Sequence, residues 1–428
     1  MTAAPPSGDV APGAPAGPLR RGYTTGACAQ AATAAAAEWR RTGGEFPAEG
    51  GIDVVLPGGE PATFAYRIDE EGAAWVVKDA GDDPDVTDGL AIGASLEATC
   101  GSFAVRSGTG VGTVTLPGLA IAVGGPAINP VPRDAILAEL RARLPEGATV
   151  TIRAPGGEGL ARKTLNPRLG IVGGISILGT TGRVEPWSVE AMRESLVPQL
   201  EVATARGRRS LVFVLGSKGR RLAMEAGEDE RDIVETANEV GWMLEQAAER
   251  GFEHVTVRGH VGKLAKLAAG IYDTHSRVAD ARLVTLAAYA GAGGLGADEV
   301  RAMLAMTTAD QAAARLLELG RVDVLTEVAS AGAAACRARY DLAVDVVLLD
   351  RDGAVLARSD GTGAEASAVA DDGGAAATAD ADGGPGAASD RPASDASSVP
   401  AGPGPGPGDG GASSSPGAPS AEANGARS

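Results

Sequence analysis

Aromatic residues are scarce in this sequence, because Phe, Trp and Tyr make up only 3% of its 428 residues. Small residues must therefore fill much of the interior, and 62 glycines agree with that expectation. Cysteine is also scarce: Cys28, Cys100 and Cys336 occur alone, without any CxxC spacing. This number and spacing exclude a disulfide framework and a cysteine-based zinc site. They indicate single buried thiols in a reducing cytosol.

Long apolar stretches are missing as well. No run of 18 apolar residues occurs, so the sequence predicts no membrane span. The N-terminus, MTAAPPSGDVAPGAPAGP, lacks the basic start and the apolar segment of a secretory signal. We expect a cytoplasmic protein.

Basic residues are outnumbered: 38 Lys and Arg face 55 Asp and Glu, for a net charge of −17. Residues 359–428 hold ten acids and two bases, so about half of that charge lies in the last 70 residues. A mildly acidic body offers no surface for general nucleic-acid binding. Anionic small ligands remain compatible, since they need only a few local Arg or Lys.

Both ends of the chain lack the residues of a core. Residues 359–428 contain no Ile, Leu, Met or aromatic residue and include the repeat GPGPGPGDGG. Such a segment cannot bury enough apolar surface to offset the entropy of ordering. We predict a disordered leader at 1–18 and a disordered acidic tail at 357–428.

The body between these ends changes character near residue 190. A capped Ala-rich helix from Thr24 or Thr25 to about Arg41 is followed by short strands with Gly/Pro turns and one helix, which indicates an α+β domain at 19–190. From 191 to 356, apolar strands such as SLVFV and HVTVRGH alternate with helical patterns, including one across DIVETANEVGWMLEQAAERG. This alternation predicts a parallel α/β domain with its ligand crevice at the carboxyl ends of the strands, at Gly216–Gly219 and Gly259–His260.

The most prominent glycine cluster is SGTGVGT at residues 107–113. A dinucleotide or phosphate site would need a helix directly after it, but TVTLPGLAIAV reads as a strand. The cluster is therefore either a turn between strands or a close approach of backbone to a ligand.

Five aspartates follow a strand in VVKDAGDDPDVTDG, which we call the aspartate loop (residues 79–88). Such a density of carboxylates is found in solvated turns, and it also suits a general base or an anchor for an ammonium group.

A glycine-rich segment with three bases, GGEGLARKTLNPR (156–168), runs into LGIVGGISILGTTGRVEP. The combined stretch suits either a segment that faces a ligand or a buried crossover between domains.

The three histidines, His254, His260 and His275, have no metal-binding spacing. His254 lies within a predicted strand and is interpreted as structural. His275, in YDTHSRVADAR, is a candidate acid–base or substrate-binding group or a helix cap.

Six stretches together resemble the CbiD family: RRGYTTGACAQAA, VVKDAGDDPDVTDG, SGTGVGTVTLPGL, GGPAINPVPR, GGEGLARKTLNPRLGIVGGISILGTTGRVEPWS and RGHVGKLAKLAAGIYDTHSRVADAR. The resemblance spans about residues 19–350 in the family's order. It departs from the family at VLGSKGRR (214–221), where a VxTPGNxG-like turn is expected.

The resemblance implies a cobalt-precorrin-5B C1-methyltransferase of anaerobic cobalamin biosynthesis, which uses S-adenosylmethionine and needs no protein-bound metal. We expect the donor at the Gly-Thr turn (Gly179, Thr180, Thr181, Gly182) with Glu185 nearby, or else at the aspartate loop. Asp79, Asp83 and His275 are the candidate catalytic groups. The basic residues expected to hold the carboxylates of the corrinoid substrate are Arg162, Lys163, Arg168, Lys263, Lys266, Arg277 and Arg282.

Two other functions compete with this interpretation. A phosphoryl-transfer enzyme would use SGTGVGT as a phosphate cradle and would place a helix N-terminus after it. A carrier of tetrapyrrole intermediates would keep the basic residues but would not bind S-adenosylmethionine.

Overall fold

The computed structural model describes residues 18–359, which all belong to one compact unit. The predictions of disorder for residues 1–17 and 360–428 lie outside the described residues. The folded body was expected to end at residue 356. The last strand instead continues to Arg358, two residues into the segment predicted to be a disordered tail.

The described residues contain strands of very different lengths. In chain order they are β1 (Gly22–Tyr23), β2 (Glu49–Val55), β3 (Pro61–Ile68), β4 (Ala74–Val77), β5 (Ala91–Ala98), β6 (Phe103–Ser107), β7 (Gly110–Val111), β8 (Thr113–Val114), β9 (Ala148–Arg153), β10 (Ile171–Val172), β11 (Gly174–Ile175), β12 (Arg183–Val184), β13 (Ser210–Val214), β14 (Ile233–Glu235), β15 (His254–His260), β16 (Ala343–Leu349) and β17 (Val355–Arg358).

The helices are concentrated after residue 188. In chain order they are α1 (Thr25–Arg41), α2 (Pro130–Arg143), α3 (Gly157–Ala161), α4 (Val189–Leu196), α5 (Pro198–Ala205), α6 (Ser217–Glu225), α7 (Val240–Glu249), α8 (Val261–Ala268), α9 (Arg282–Ala292), α10 (Ala297–Leu304), α11 (Ala309–Glu318) and α12 (Val322–Arg339).

The first sheet has the strand order β2-β3-β4-β5-β9-β6 and is antiparallel except for the parallel pair β6 and β9. Helix α1 packs against it and against α2. Because α1 is built largely of alanine, it is buried on almost every side from Ala27 to Ala37 and can approach the sheet closely. Thr24 caps this helix as predicted: its Oγ1 accepts a hydrogen bond from the N–H of Ala27 at 3.1 Å.

The second sheet has the order β14-β13-β15-β16-β17, in which only β17 is antiparallel to its neighbour. Each of the two sheets has its own hydrophobic cluster. The predicted mixture of helices and strands is confirmed. The division into two domains at residue 190 stays a prediction.

One strand of the second sheet differs from its predicted conformation. The sequence from Asp232 to Gly251 was expected to be helical throughout, but Ile233–Glu235 forms β14, which pairs in parallel with β13. Helix α7 begins only at Val240. The three-residue strand is too short to show a period, and its pairing with β13 overrides the helical pattern around it.

The glycine cluster at 107–113 makes contacts between backbones. β7 pairs with β11, and β8 pairs with β10, so no helix follows the glycines and the phosphate-cradle interpretation is wrong. A Cβ at Gly174 or Gly157 would overlap the backbone oxygen of Gly110. These glycines therefore let three chain segments meet where no side chain fits.

No helix in residues 18–359 is both long and apolar enough to cross a membrane.

Candidate functional site

Residues 20–25 lie between the two loops that the sequence proposed as alternative donor sites. The N–H of Tyr23 donates to the carbonyl of Asp79 at 2.8 Å, and the N–H of Thr24 donates to the carbonyl of Gly182 at 3.1 Å. The aspartate loop and the Gly-Thr turn therefore flank one segment, although about one hundred residues separate them in the sequence. The two alternative predictions concern a single region of the molecule.

The carboxylates of the aspartate loop are held by partners within and beside the loop. Asp79 pairs with Arg20, and the Nζ of Lys78 donates to Asp85 at 2.8 Å. Asp88 accepts from the N–H of Ala80 at 2.8 Å. The hydrogen bond from Arg20 lowers the pKa of Asp79, which therefore stays ionised at neutral pH.

The Gly-Thr turn packs against the start of α1. Gly179 has φ +125°, and a Cβ there would lie 2.5 Å from the Cβ of Thr24. Thr180 and Thr181 are exposed, whereas the carboxylate of Glu185 pairs with Arg21. The glycine at 179 is explained by packing on the capping residue of α1, and the exposed threonines are the members of the turn that solvent reaches.

The carboxyl edge of the second sheet has the topology of a ligand crevice. The chain passes from β13 to β14 on one side and then to β15 on the other side, so the connections diverge between β13 and β15. Ligands of open α/β sheets bind at such a switch point. Gly216 and Ser217 follow β13 there, and His260 ends β15, in agreement with the sequence prediction.

The ring nitrogens of His260 already have partners. Its Nδ1 accepts from the N–H of Gly262 at 3.1 Å and so caps α8. The proton of the neutral ring is then on Nε2, which donates to Asp310 at 2.9 Å.

The other two histidines also make local contacts. His254 bonds to Asp345 at 2.8 Å, as expected of a structural residue. The Nδ1 of His275 accepts from the N–H of Arg277 at 3.1 Å and so closes a turn. The next helix begins only at Arg282, so His275 is not a helix cap, and its Nε2 is left for other contacts.

Two of the predicted basic residues have partners at the end of β14 or just after it. Arg168 pairs with Glu235 at 2.7 Å, and the Nζ of Lys263 donates to the Oδ1 of Asn238 at 2.6 Å. Burial lowers the pKa of both Arg168 and Lys263, and burial raises the pKa of Glu235. The 156–168 segment and α8 are thus brought together, which the sequence alone did not indicate.

The remaining basic candidates are placed differently. Arg162, Lys163 and Arg277 are exposed. Lys266 is buried and donates to the carbonyl of Thr274 at 2.8 Å. Arg282 donates to the carbonyl of Thr307 at 3.2 Å and lies 3.5 Å from Asp280. The exposed three are therefore the most available to an anionic ligand, whereas Lys266 already has a hydrogen-bond partner inside the protein.

A pocket of about 270 Å³ lies beside this region and was not predicted. It has aromatic, acidic and basic walls formed by Arg193, Glu239, Gly241, Trp242, Glu245, Tyr272, Asp273, Arg339 and Tyr340. Burial raises the pKa of Tyr272 and of Tyr340, so both phenols stay neutral. The chain has only four Trp and five Tyr, and three of these nine residues, Trp242, Tyr272 and Tyr340, line this one pocket. The scarcity of aromatic residues was the one feature of the sequence that could have drawn attention to these positions.

Family models and individual relatives of this chain all indicate the same family. The family model described as CbiD matches residues 14–186, and the model described as CbiD, C-terminal domain, matches residues 273–360. A cobalt-precorrin-5B C(1)-methyltransferase of Moorella thermoacetica is 50% identical over 68% of this chain and 81% of its own length. A protein of the same name from Thermoanaerobacter sp. is 47% identical over 69% of this chain and 81% of its own length. Among solved structures, the cobalamin biosynthesis protein cbiD of Archaeoglobus fulgidus has 28% identity and a TM-score of 0.35, and the match covers 62% of this chain and 84% of that chain.

Proposed function

The chain belongs to the CbiD family, and we propose that it transfers a methyl group from S-adenosylmethionine to C1 of cobalt-precorrin-5B, giving cobalt-precorrin-6A in the cytoplasm. The observation that carries the proposal is the 50% identity to a relative of this name, which extends over 81% of that relative. The motifs singled out in the sequence fall largely inside the two matched ranges, 14–186 and 273–360.

The reaction is an in-line displacement at the methyl carbon. An electron pair from C1 of the corrinoid forms the new C–C bond while the S–CH₃ bond breaks, and sulfur leaves as the neutral thioether of S-adenosylhomocysteine. Such a step depends on the alignment of donor and acceptor and needs no protein nucleophile. Cobalt enters with the substrate, held by the nitrogens of the macrocycle.

The substrate carries many carboxylates, and the exposed bases of this chain suit them. We assign Arg162, Lys163 and Arg277 to these carboxylates, because none of their side chains enters an ion pair within the part of the chain that the structure describes. Arg168 and Lys263 lie at the end of β14, where burial strengthens any charge-assisted hydrogen bond they make. Arg282 would support the substrate from the start of α9.

Asp79, Asp83 and His275 stay candidate catalytic groups. Asp79 is ionised beside Arg20, so it suits electrostatic stabilisation or a contact with an ammonium group better than proton transfer at neutral pH. His275 retains Nε2 for contact with substrate, because Nδ1 is used within the turn.

The test combines product analysis with binding. We expect the purified protein to convert cobalt-precorrin-5B to a product heavier by one methyl group, and trideuteromethyl S-adenosylmethionine should shift that product by three further mass units. A carrier would bind the corrinoid but would show no heat on titration with S-adenosylmethionine or S-adenosylhomocysteine. Corrinoid binding without donor binding or methyl transfer would therefore establish the carrier function instead.

A further inference from the structure

The pocket beside α7 runs from solvent into the protein. Glu245 and Arg339 are exposed, whereas Glu239 and Tyr340 are buried. Its volume of about 270 Å³ is slightly below the roughly 300 Å³ at which small-molecule pockets usually begin. It can therefore enclose the polar end of a cofactor-sized molecule, with the rest extending past the mouth.

Aromatic rings form one wall of the pocket. Tyr272 and Tyr340 meet edge to face with 5.3 Å between ring centroids, and the guanidinium of Arg339 lies 5.0 Å from the centroid of Tyr272. A Cβ at Gly241 would lie 2.5 Å from the Cβ of Tyr272 and from the Oη of Tyr340. The absence of a side chain at this position lets the first turn of α7 pack on both rings.

The charges around the pocket are only partly neutralised. Arg193 donates to Glu239 at 2.6 Å, and these two cancel. Neither Glu245 nor Arg339 takes part in any ion pair formed by residues 18–359. Asp273 accepts one hydrogen bond, from the N–H of His275 at 2.8 Å. The pocket thus presents two carboxylates and one guanidinium to a ligand, and Asp273 is also attracted to the ammonium groups of Lys263 and Lys266.

The pocket adjoins the end of β14. The N–H of Gly241 donates to the carbonyl of Tyr272 at 3.1 Å, and the N–H of Thr274 donates to the carbonyl of Asn238 at 3.0 Å. Asn238 is also the partner of Lys263. One wall of the pocket is therefore continuous with the segment that holds the buried bases.

We propose that this pocket, rather than the Gly-Thr turn, binds S-adenosylmethionine through its amino-acid and sulfonium groups. The proposal rests on the proposed methyltransferase function. The α-carboxylate pairs with Arg339, and the α-ammonium lies between Glu245 and Asp273. The sulfonium faces the indole of Trp242, since aromatic faces attract cations and the indole does so most strongly.

The chemistry of the walls favours this occupant over a corrinoid side chain. A propionate or acetate would meet the carboxylates of Glu245 and Asp273 and one guanidinium, that of Arg339, which disfavours a purely anionic group. A zwitterion with a second positive centre offers one positive group to these carboxylates, another to the indole, and a carboxylate to the guanidinium. Glu239 is buried at the floor of the pocket, and its carboxylate is already paired with the partly exposed Arg193.

The experiment is calorimetric titration with S-adenosylhomocysteine and S-adenosylmethionine, and competition by 5′-methylthioadenosine, which lacks the amino-acid end. The variants are Glu245→Gln and Arg339→Gln. Their controls are Glu249→Gln, one turn further along α7, and Arg337→Gln, at the same end of α12 but outside the pocket. Each pocket variant should weaken S-adenosylhomocysteine binding by about tenfold or more, as for the loss of one charge-assisted hydrogen bond, while competition by 5′-methylthioadenosine stays within about twofold.

The outcomes separate this inference from the function itself. If wild-type protein binds S-adenosylhomocysteine and both pocket variants bind it as tightly as their controls do, the pocket is not the donor site and the methyltransferase proposal stands. If the wild-type protein binds neither S-adenosylhomocysteine nor S-adenosylmethionine, both proposals are wrong. Equal weakening by the control variants also contradicts the pocket, because the loss would then not depend on its walls.

Discussion

The Oδ1 of Asp83 accepts a hydrogen bond from the backbone N–H of Trp187 at 3.0 Å. Trp187 has φ +60°, a backbone conformation that residues other than glycine rarely adopt. The contact joins the aspartate loop to the segment that follows the Gly-Thr turn. Asp83 was singled out as a catalytic candidate, and this contact gives it a positioning role in addition.

Replacing Asp83 separates these two roles. Asp83→Ala leaves the N–H of Trp187 without its acceptor and should lower the free energy of unfolding by about 1–2 kcal/mol, measured by urea denaturation. Asp83→Asn keeps an acceptor oxygen and should stay within about 0.5 kcal/mol of wild type. Equal destabilisation of both variants would contradict the role of this hydrogen bond. A loss of methyl transfer in the stable Asn variant would point to the carboxylate itself.

Gly179 should tolerate no side chain. Gly179→Ala combines a positive φ with overlap against Thr24, so we expect a loss of more than about 2 kcal/mol of unfolding free energy. Gly173→Ala is the matched control, because Gly173 has φ +82° but no atom within 4 Å of its added Cβ. Thermal denaturation should rank wild type above Gly173→Ala and both above Gly179→Ala. Equal melting temperatures for the two variants would exclude the contact with Thr24 as the cause.

For donor binding, Thr180→Ala and Thr181→Ala are the better probes of this turn, because these substitutions do not disturb the packing on α1.

The ion pair of Lys78 and Asp85 is expected to be a large local contribution to stability. The side chain of Lys78 is only 1% exposed, so Asp85→Asn removes the ion-pair partner of a buried ammonium and should cost about 3 kcal/mol at neutral pH. Asp134→Asn, at an exposed aspartate on α2, is the control.

The same pair predicts a pH dependence. Burial acts to raise the pKa of Asp85, but hydrogen bonds from Lys78 and Thr87 outweigh it, and the pKa is lowered. A carboxyl whose pKa is lowered by folding contributes stability above its ordinary value of 3.8 and loses it as the pH falls through the folded value. The difference in unfolding free energy between wild type and Asp85→Asn should therefore be constant from pH 7 to about 5 and should shrink below pH 3.8. A difference that does not change on acidification would contradict the ion pair.

The three thiols should react very differently. Burial raises the pKa of Cys28 and of Cys336 to about 12, so both remain protonated and shielded. Cys100 is exposed, which corrects the expectation that all three are buried. Titration with Ellman's reagent should detect one thiol in the native protein and three after denaturation. Cys100→Ser should abolish the native reaction, and a persisting signal would mean that a buried thiol becomes accessible.

The exposed residues Arg162 and Arg277 should contribute to binding of the corrinoid and not to binding of S-adenosylmethionine. Arg162→Ala and Arg277→Ala should each weaken substrate binding by about tenfold or more, for a charge-assisted hydrogen bond of roughly 1.5–3 kcal/mol. Binding of S-adenosylmethionine should not change. Arg40→Ala, at the exposed end of α1, is the control and should leave both affinities unaltered. Unaltered corrinoid affinity in both test variants would remove these residues from the substrate site.

Local signals in the sequence predicted part of the local structure: the strand expected over TVTLPGLAIAV is formed only at Thr113–Val114, but other elements are as expected. Thr24 as the cap of α1, the strands β13 and β15, and the candidates at the carboxyl edge of the second sheet follow from periodicity and from one rule of α/β topology. The glycine cluster at 107–113 was also visible. The reason for these glycines could not be predicted, because the contact of Gly110 with Gly157 and Gly174 involves segments far apart in the sequence.

The pocket could not be predicted for a similar reason. Its walls come from α4, α7, the loop after α8 and the end of α12, and only the loop after α8 belongs to a motif singled out in the sequence. The pairing of Arg168 with Glu235 is equally non-local. Spacing along one segment reports which residues share a face, whereas the convergence of four segments depends on the packing of the whole chain.

The anchoring of α1 sets the order in which the protein can fold during synthesis. The hydroxyl of Thr25 donates to the carbonyl of Ser176, 151 positions later, and accepts from the N–H of Leu178, 153 positions later. At roughly 5–20 residues per second, the ribosome needs about 8–30 s to supply these partners. During that time the alanine-rich helix lacks the partners that hold its first turn, so nascent chains that stall before residue 178 should depend on chaperones and should be preferred targets of proteases.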